Sequence, residues 1–193
     1  MRAGAGLVPG DGAAGESGRA REGAFEVVSL NLSERTGVRK KPVAAATFVV
    51  GKGMEGDAHA GVIENRQVSL LAVEEIEAAN EKLAGSLGAG GSVTSPEGAT
   101  FAPGKAGLTS LSPGDFAENI TTRGIVLHEL PLGTRLEIGV VVLEVSKIGK
   151  ECHTACEIRR LVGDCVMPRK GIFARVISGG EARREDSGHY RIG

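Results

Sequence analysis

The chain has 193 residues and a formal net charge of -1, long enough for one domain with a sizeable core. Its 23 Lys and Arg nearly cancel its 24 Asp and Glu, and it has no Trp and one Tyr, which argues against a nucleic-acid or other polyanion binder and confines any anion site to a local cluster. No apolar run approaches the roughly 20 residues that cross a bilayer and no compact apolar segment opens the chain, so a cytoplasmic protein without membrane association is expected.

Residues 1–23 are rich in Gly, Ala and charge without apolar periodicity, and are expected to form a disordered N-terminal tail. Ala24 to Leu32 (AFEVVSLNL) reads as the first strand, SERTGV as a turn, and a second strand is expected near Ala44 to Val50. Between that strand and the next lies a glycine-dense loop, GKGMEGDAHAG, which holds Asp57 and His59 two residues apart. Its glycines let backbone amides approach an anion, and the polar pair can orient or ligate a group; an ordinary turn is the plainer alternative. Arg66 to Ala72 (RQVSLLA) is the third strand, with Arg66 either a cationic ligand contact or a solvated ion-pair partner.

From Val73 the period changes. Val73, Ile76, Ala79 and Leu83 share one helical face and Glu74, Glu75, Glu77 and Glu81 lie off it, predicting an amphipathic helix that ends near Gly85. Residues 85–112 combine Gly, Ser, Pro and Thr and are expected to be a flexible insertion. In SPGDFAENITTRGI the Pro-Gly-Asp run makes a turn, and Asn119 either meets a ligand edge or satisfies backbone groups. Thr134 to Gly149 gives two strand-like runs separated near Gly139, and Gly171 to Ser178 (GIFARVIS) returns to strand.

The three cysteines all fall between residues 152 and 165, a clustering that disfavours a secreted disulfide scaffold. Cys152 follows a Val- and Leu-rich strand, and Lys147, Lys150 and a protonated His153 favour its thiolate, while Glu151 opposes it. A short helix is expected over Cys156 to Val162. Cys156 and Cys165 read either as small buried residues or, with Cys152, as zinc ligands, although the C-x3-C-x8-C spacing lacks paired knuckles. Arg169 and Lys170 form a basic rim or a solvated turn. Short strands with little helix and no regular alternation with helices predict a mainly β fold, a β-barrel with one or two short α-helices. No P-loop or GxGxxG fingerprint follows any strand.

EGDAHAG, RQVSLLA, PGDFAENITTRGI, LPLGTRLEIG, IGKECH and GDCVMPRKGIFARV, in this order, resemble the MOSC domain, the C-terminal domain of molybdenum-cofactor sulfurases, in its small free-standing form. The resemblance implies a barrel over residues 24–180 with a cysteine-bearing cleft. Residues 181–193 are left as a C-terminal tail, because the Gly-Asp turn and final strand that the family would place after Gly180 are not evident. It further implies a module that binds the molybdenum cofactor (molybdopterin) or molybdate or tungstate, in which Cys152 holds a persulfide or coordinates the metal. Asp57, His59, Arg66, Asn119, Lys150, His153 and Arg169 would form the surrounding wall. The pyridoxal-phosphate desulfurase domain of the large sulfurases has no counterpart here, so that cofactor is not expected. The expected partners are a cysteine desulfurase or other sulfur donor and molybdenum enzymes or cofactor-biosynthesis proteins. Two other readings remain open at this point: a non-enzymatic molybdate or tungstate binder, and a zinc-stabilised domain using Cys152, Cys156 and Cys165.

Overall fold

The computed structural model of the chain describes residues 21–88, 93–94, 100–101, 110–149 and 165–193. Buried Phe25 and Val27 alternate with exposed Ala24 and Glu26 in β1 (Glu22–Leu32), the period of a strand with one face on a core. The register then slips between Val27 and Ser29. This bulge moves the alternation by one residue, so Leu30 joins the core while Ser29 and Asn31 are delivered to a polar layer.

Three short strands follow, β2 (Lys41–Val43), β3 (Ala45–Val49) and β4 (Gly53–Met54), and then β5 (Val68–Ala72), buried at every position. β5 is covered on both faces. Val68, Leu70 and Ala72 enter the barrel core, and Leu71 faces a second cluster beneath the helix α1 (Val73–Gly88). α1 buries Ile76 and Leu83 there and uses two of its acidic residues to hold the end of the next barrel strand: the Glu74 carboxylate accepts from the Gly124 amide (2.8 Å) and Glu77 pairs with Arg123 (3.0 Å). The helix runs three residues past the expected Gly85.

Within the segment read as an insertion, β6 (Val93–Thr94) and β7 (Thr100–Phe101) pair antiparallel, and its far end is tied back to α1 through Asn80, whose side chain exchanges two hydrogen bonds with the Leu111 backbone. β9 (Arg135–Ile138), β10 (Val141–Ile148) and β11 (Ile172–Ser178) supply walls expected from the sequence, β8 (Ile120–Arg123) adds one in the segment read only as a turn around Asn119, and a one-turn helix covers Met167–Lys170.

The end of the chain departs from the expectation. Residues 181–193 are not a tail: they form β12 (Gly180–Arg183) and β13 (Ser187–Arg191). β13 pairs with β1 on one side and β9 on the other, and so closes the ring β1-β13-β9-β10-β11-β5-β8, in which only β5 and β8 run parallel. β12 joins β3 and β4 in a small second sheet. SGHYR lacks the apolar alternation of a half-buried strand, but a strand bonded on both sides is secured by its ladders, and the Phe25 ring lies directly against Gly188. Closing the ring removes the open edges that would otherwise invite mispairing. The core inside it is mostly aliphatic, with Leu30, Leu70, Ile120, Leu136, Ile138, Leu143 and Ile172 all fully buried beside Phe48 and Met54; each such side chain contributes about 1.5–3 kcal/mol. Among the described residues no helix is long and apolar enough to cross a membrane.

Candidate functional site

The turn after β4 carries Asp57 into the protein. Its Oδ2 accepts from Lys40 Nζ at 2.6 Å and from the Ser33 amide at 3.2 Å, and its Oδ1 accepts from the His59 amide at 3.0 Å and lies 3.3 Å from His59 Nδ1. Both charged side chains of the Lys40–Asp57 pair are about 1% exposed, so the pair stands away from water, where an unpartnered charge is expensive. Burial, the largest effect on this carboxyl, pushes its pKa up; the His59 and Lys40 hydrogen bonds and the Lys40 charge together outweigh it and hold Asp57 well below the usual carboxylate range. An ionised carboxylate only accepts. His59 Nδ1 therefore carries the hydrogen in this contact, and in the neutral ring the lone pair is left on Nε2, on a side chain that is 34% exposed. A buried carboxylate that fixes the tautomer of a partly open imidazole produces an oriented base or ligand.

A second polar layer continues from Lys40. Its amide donates to the Gly114 carbonyl at 2.8 Å, and the Gly114 amide donates to Glu118 Oε1. Gly114 has a φ of +92, and a Cβ there would strike the Lys40 carbonyl oxygen, so only glycine permits this approach. Glu118 Oε1 also accepts from Thr121 Oγ1 (2.8 Å), which in turn accepts from Asn31 Nδ2 (3.1 Å). Glu118 is fully buried, and its Oε2 has no hydrogen-bond partner among the described residues. Burial pushes the Glu118 pKa up to about 7, against the lowering effect of the Gly114 amide and the Thr121 hydroxyl.

Asn119 braces β1 and β5. Its Oδ1 accepts from the Ser69 amide (3.1 Å) and hydroxyl (2.9 Å), and its Nδ2 donates to the Asn31 carbonyl (3.3 Å). It is 1% exposed, so a ligand would have to displace these bonds to reach it. Arg66 is half-buried, its guanidinium stacked 5.7 Å from the centroid of Phe173, an orientation that fixes a cation beside β11. Arg169 is exposed on the Met167–Lys170 helix. Its neighbour Lys170 lies 2.9 Å from His128 Nε2 and 3.5 Å from Glu75. Cys165 is buried among Leu71, Ile76, Leu83 and Phe116. Lys150, Cys152, His153 and Cys156 lie outside the described residues, as does the helix expected over residues 156–162.

The structure thus brings together Asp57 and His59, two residues singled out in the sequence, and adds Lys40 and Glu118, which were not. The signal for Lys40 was the cationic run at Arg35, Arg39, Lys40 and Lys41, which reads as solvated surface until the loop after β1 is seen to turn its third member inward. For Glu118 the signal was an acidic residue flanked by Phe116 and Ile120, both buried.

The sequence pattern that defines the MOSC domain matches residues 55–187. Among solved structures, the YuaD protein from Bacillus subtilis is 16% identical, with a TM-score of 0.67 over 89% of this chain and 98% of that one. YiiM from Geobacillus stearothermophilus is 17% identical, with a TM-score of 0.56 over 84% of this chain and 72% of that one. YiiM from Escherichia coli is 16% identical, with a TM-score of 0.54 over 86% and 69%. At these identities the likeness is one of fold. No curated protein matches the chain.

Proposed function

Because the chain belongs to the MOSC domain family, which is associated with the molybdenum cofactor, we propose that it binds that cofactor or its metal oxo-anion and carries sulfur on Cys152. The observation that supports this most is the way the barrel presents the start of the cysteine segment. β10 ends at Ile148 and is followed by Gly149, whose amide donates to the Gly171 carbonyl at 2.8 Å, and Gly149 has a φ of +70 with no room for a Cβ beside the Pro168 carbonyl. Cys152 is three residues further on, about 11 Å of chain at full extension. Gly149 itself is thus fixed against the Met167–Lys170 helix, which carries Arg169 and Lys170, with His128 Nε2 2.9 Å from Lys170.

These groups suit the chemistry. A thiolate is the soft ligand that a molybdenum centre accepts and the nucleophile that accepts a sulfur atom, and cations of this kind bind phosphate or oxo groups through charge-assisted hydrogen bonds. When bound, the cofactor supplies the metal that takes or uses the sulfur. The chain's own part is to present the thiolate, hold the anionic portion and, through His59 Nε2 fixed by Asp57, offer an oriented proton acceptor. In the loading step the Cys152 thiolate attacks the terminal sulfur of a donor persulfide. A new S–S bond forms on Cys152, the donor's S–S bond breaks, and the donor leaves as a thiolate. A cysteine desulfurase is the class of donor this requires. The test is to incubate the full chain with a cysteine desulfurase and cysteine and to measure its intact mass. One added sulfur atom, absent from Cys152→Ser and retained in Cys165→Ala, is the expected result; a wild-type chain that gains none would end the sulfur-carrier reading.

A further inference from the structure

The turn after β1 and the loop before β8 together line a groove of about 450 Å3. Arg35, Arg39 and Lys41 line it, and all three are exposed. The single acid in its lining is Asp115. In a chain whose overall charge is -1, an excess of two positive charges around one small cavity is a local concentration of field. Lys40 lies in the same lining, but its Nζ is turned to Asp57.

Two features make this a formed site as opposed to three solvated side chains. Its walls are stitched together, because the Lys40 amide donates to the Gly114 carbonyl and the buried Glu118 carboxyl holds the Gly114 amide from beneath. A Cβ at Gly114 would push the walls apart. The carboxylate inside it is also held back. Asp115 Oδ2 accepts from the Ser112 amide at 2.9 Å, and its Oδ1 reaches Arg39 at 3.5 Å, a long contact between partly exposed groups that contributes little. A dianion with several oxygens makes shorter, charge-assisted bonds to Arg39, Arg35 and Lys41 together and displaces that contact.

We propose that this groove binds the phosphate monoester of a small molecule, with Arg35, Arg39 and Lys41 as its cationic ligands and Asp115 as the internal competitor. The volume is within the range of a small-molecule site. The inference goes beyond the sulfur-carrier reading and does not use Cys152. Calorimetric titration of the full chain with glycerol 3-phosphate, with glycerol and with molybdate tests it. Glycerol 3-phosphate is expected to bind saturably and glycerol not at all, with affinity falling as salt rises. Arg35→Gln/Arg39→Gln/Lys41→Gln should weaken binding by about tenfold or more, since it removes the charge-assisted bonds to the ester. Asp115→Asn should strengthen it. Should the triple variant not fold, Lys41→Gln alone and Asp115→Asn carry the test. A wild-type chain that does not bind glycerol 3-phosphate, cation variants that bind it unchanged, a weaker Asp115→Asn, or tighter binding of molybdate than of the ester would each overturn the proposal. Cys152→Ser should bind the ester as wild type does, so this result and the sulfur-loading result can fail separately.

Discussion

Lys40 Nζ lies 2.6 Å from Asp57 Oδ2, with both side chains about 1% exposed, so the loop after β1 and the turn after β4 are joined through an ion pair shielded from water. Asp57 also fixes His59, and the pair therefore serves stability and site geometry together.

Removing one partner strands the other charge. Lys40→Met and Asp57→Asn should each lower unfolding free energy by about 3–5 kcal/mol, the cost of an uncompensated buried charge, and the double variant should recover part of the loss. Urea denaturation at pH 7 measures all three. The sign with pH follows from the depressed Asp57 pKa. Its contribution is present above the unfolded aspartate value of about 3.9 and is lost as pH falls below that towards the folded-state value. A double variant whose loss equals the sum of the two single losses would show that the two groups do not act as a pair.

Glu118 behaves in the opposite sense. Its pKa is raised from 4.5 to about 7, so the folded state favours the protonated acid. Relative stability is full below the unfolded value and is lost as pH rises through about 7, by about 3 kcal/mol for a shift of this size. Glu118→Gln keeps an acceptor for the Gly114 amide and the Thr121 hydroxyl and cannot ionise. It should therefore be more stable than wild type at pH 8, with the gap closing towards pH 5. Denaturation curves at the two pH values check this, and a gap independent of pH would refute the assignment.

How far the sequence carried the reading differs from strand to strand. β1 was legible from the alternation of Phe25 and Val27, and β5 from a run that is apolar except for Ser69. The bulge in β1 was not, because its cause is pairing with β8, and without it Asn31 cannot be placed in the polar layer. Asp57 and His59 were legible from their spacing in a glycine-rich loop. Their partner Lys40 is 17 residues upstream, in a run of cations where only the folded chain shows which member turns inward. β13 was the largest departure: its hydrogen bonds to β1 and β9 leave no apolar signature in SGHYR, and Gly188 gains its meaning only from the ring of Phe25.

Closure by β13 gives its own prediction. A chain ending at Arg184 loses both ladders and exposes the free edges of β1 and β9. It should lose the single cooperative unfolding transition and associate at concentrations where the full chain does not. Sedimentation alongside thermal unfolding reads both. A truncated chain that unfolds cooperatively as a monomer would mean that the ring does not depend on this strand.

The central claim is that this barrel handles the molybdenum cofactor through Cys152. Its most direct test is elemental and pterin analysis of the protein isolated from cells supplied with molybdate, as wild type, Cys152→Ser and Cys165→Ala side by side. The account predicts molybdenum or cofactor on the wild type and on Cys165→Ala and its loss from Cys152→Ser. Equal content in Cys152→Ser and wild type, or none in either, would contradict it.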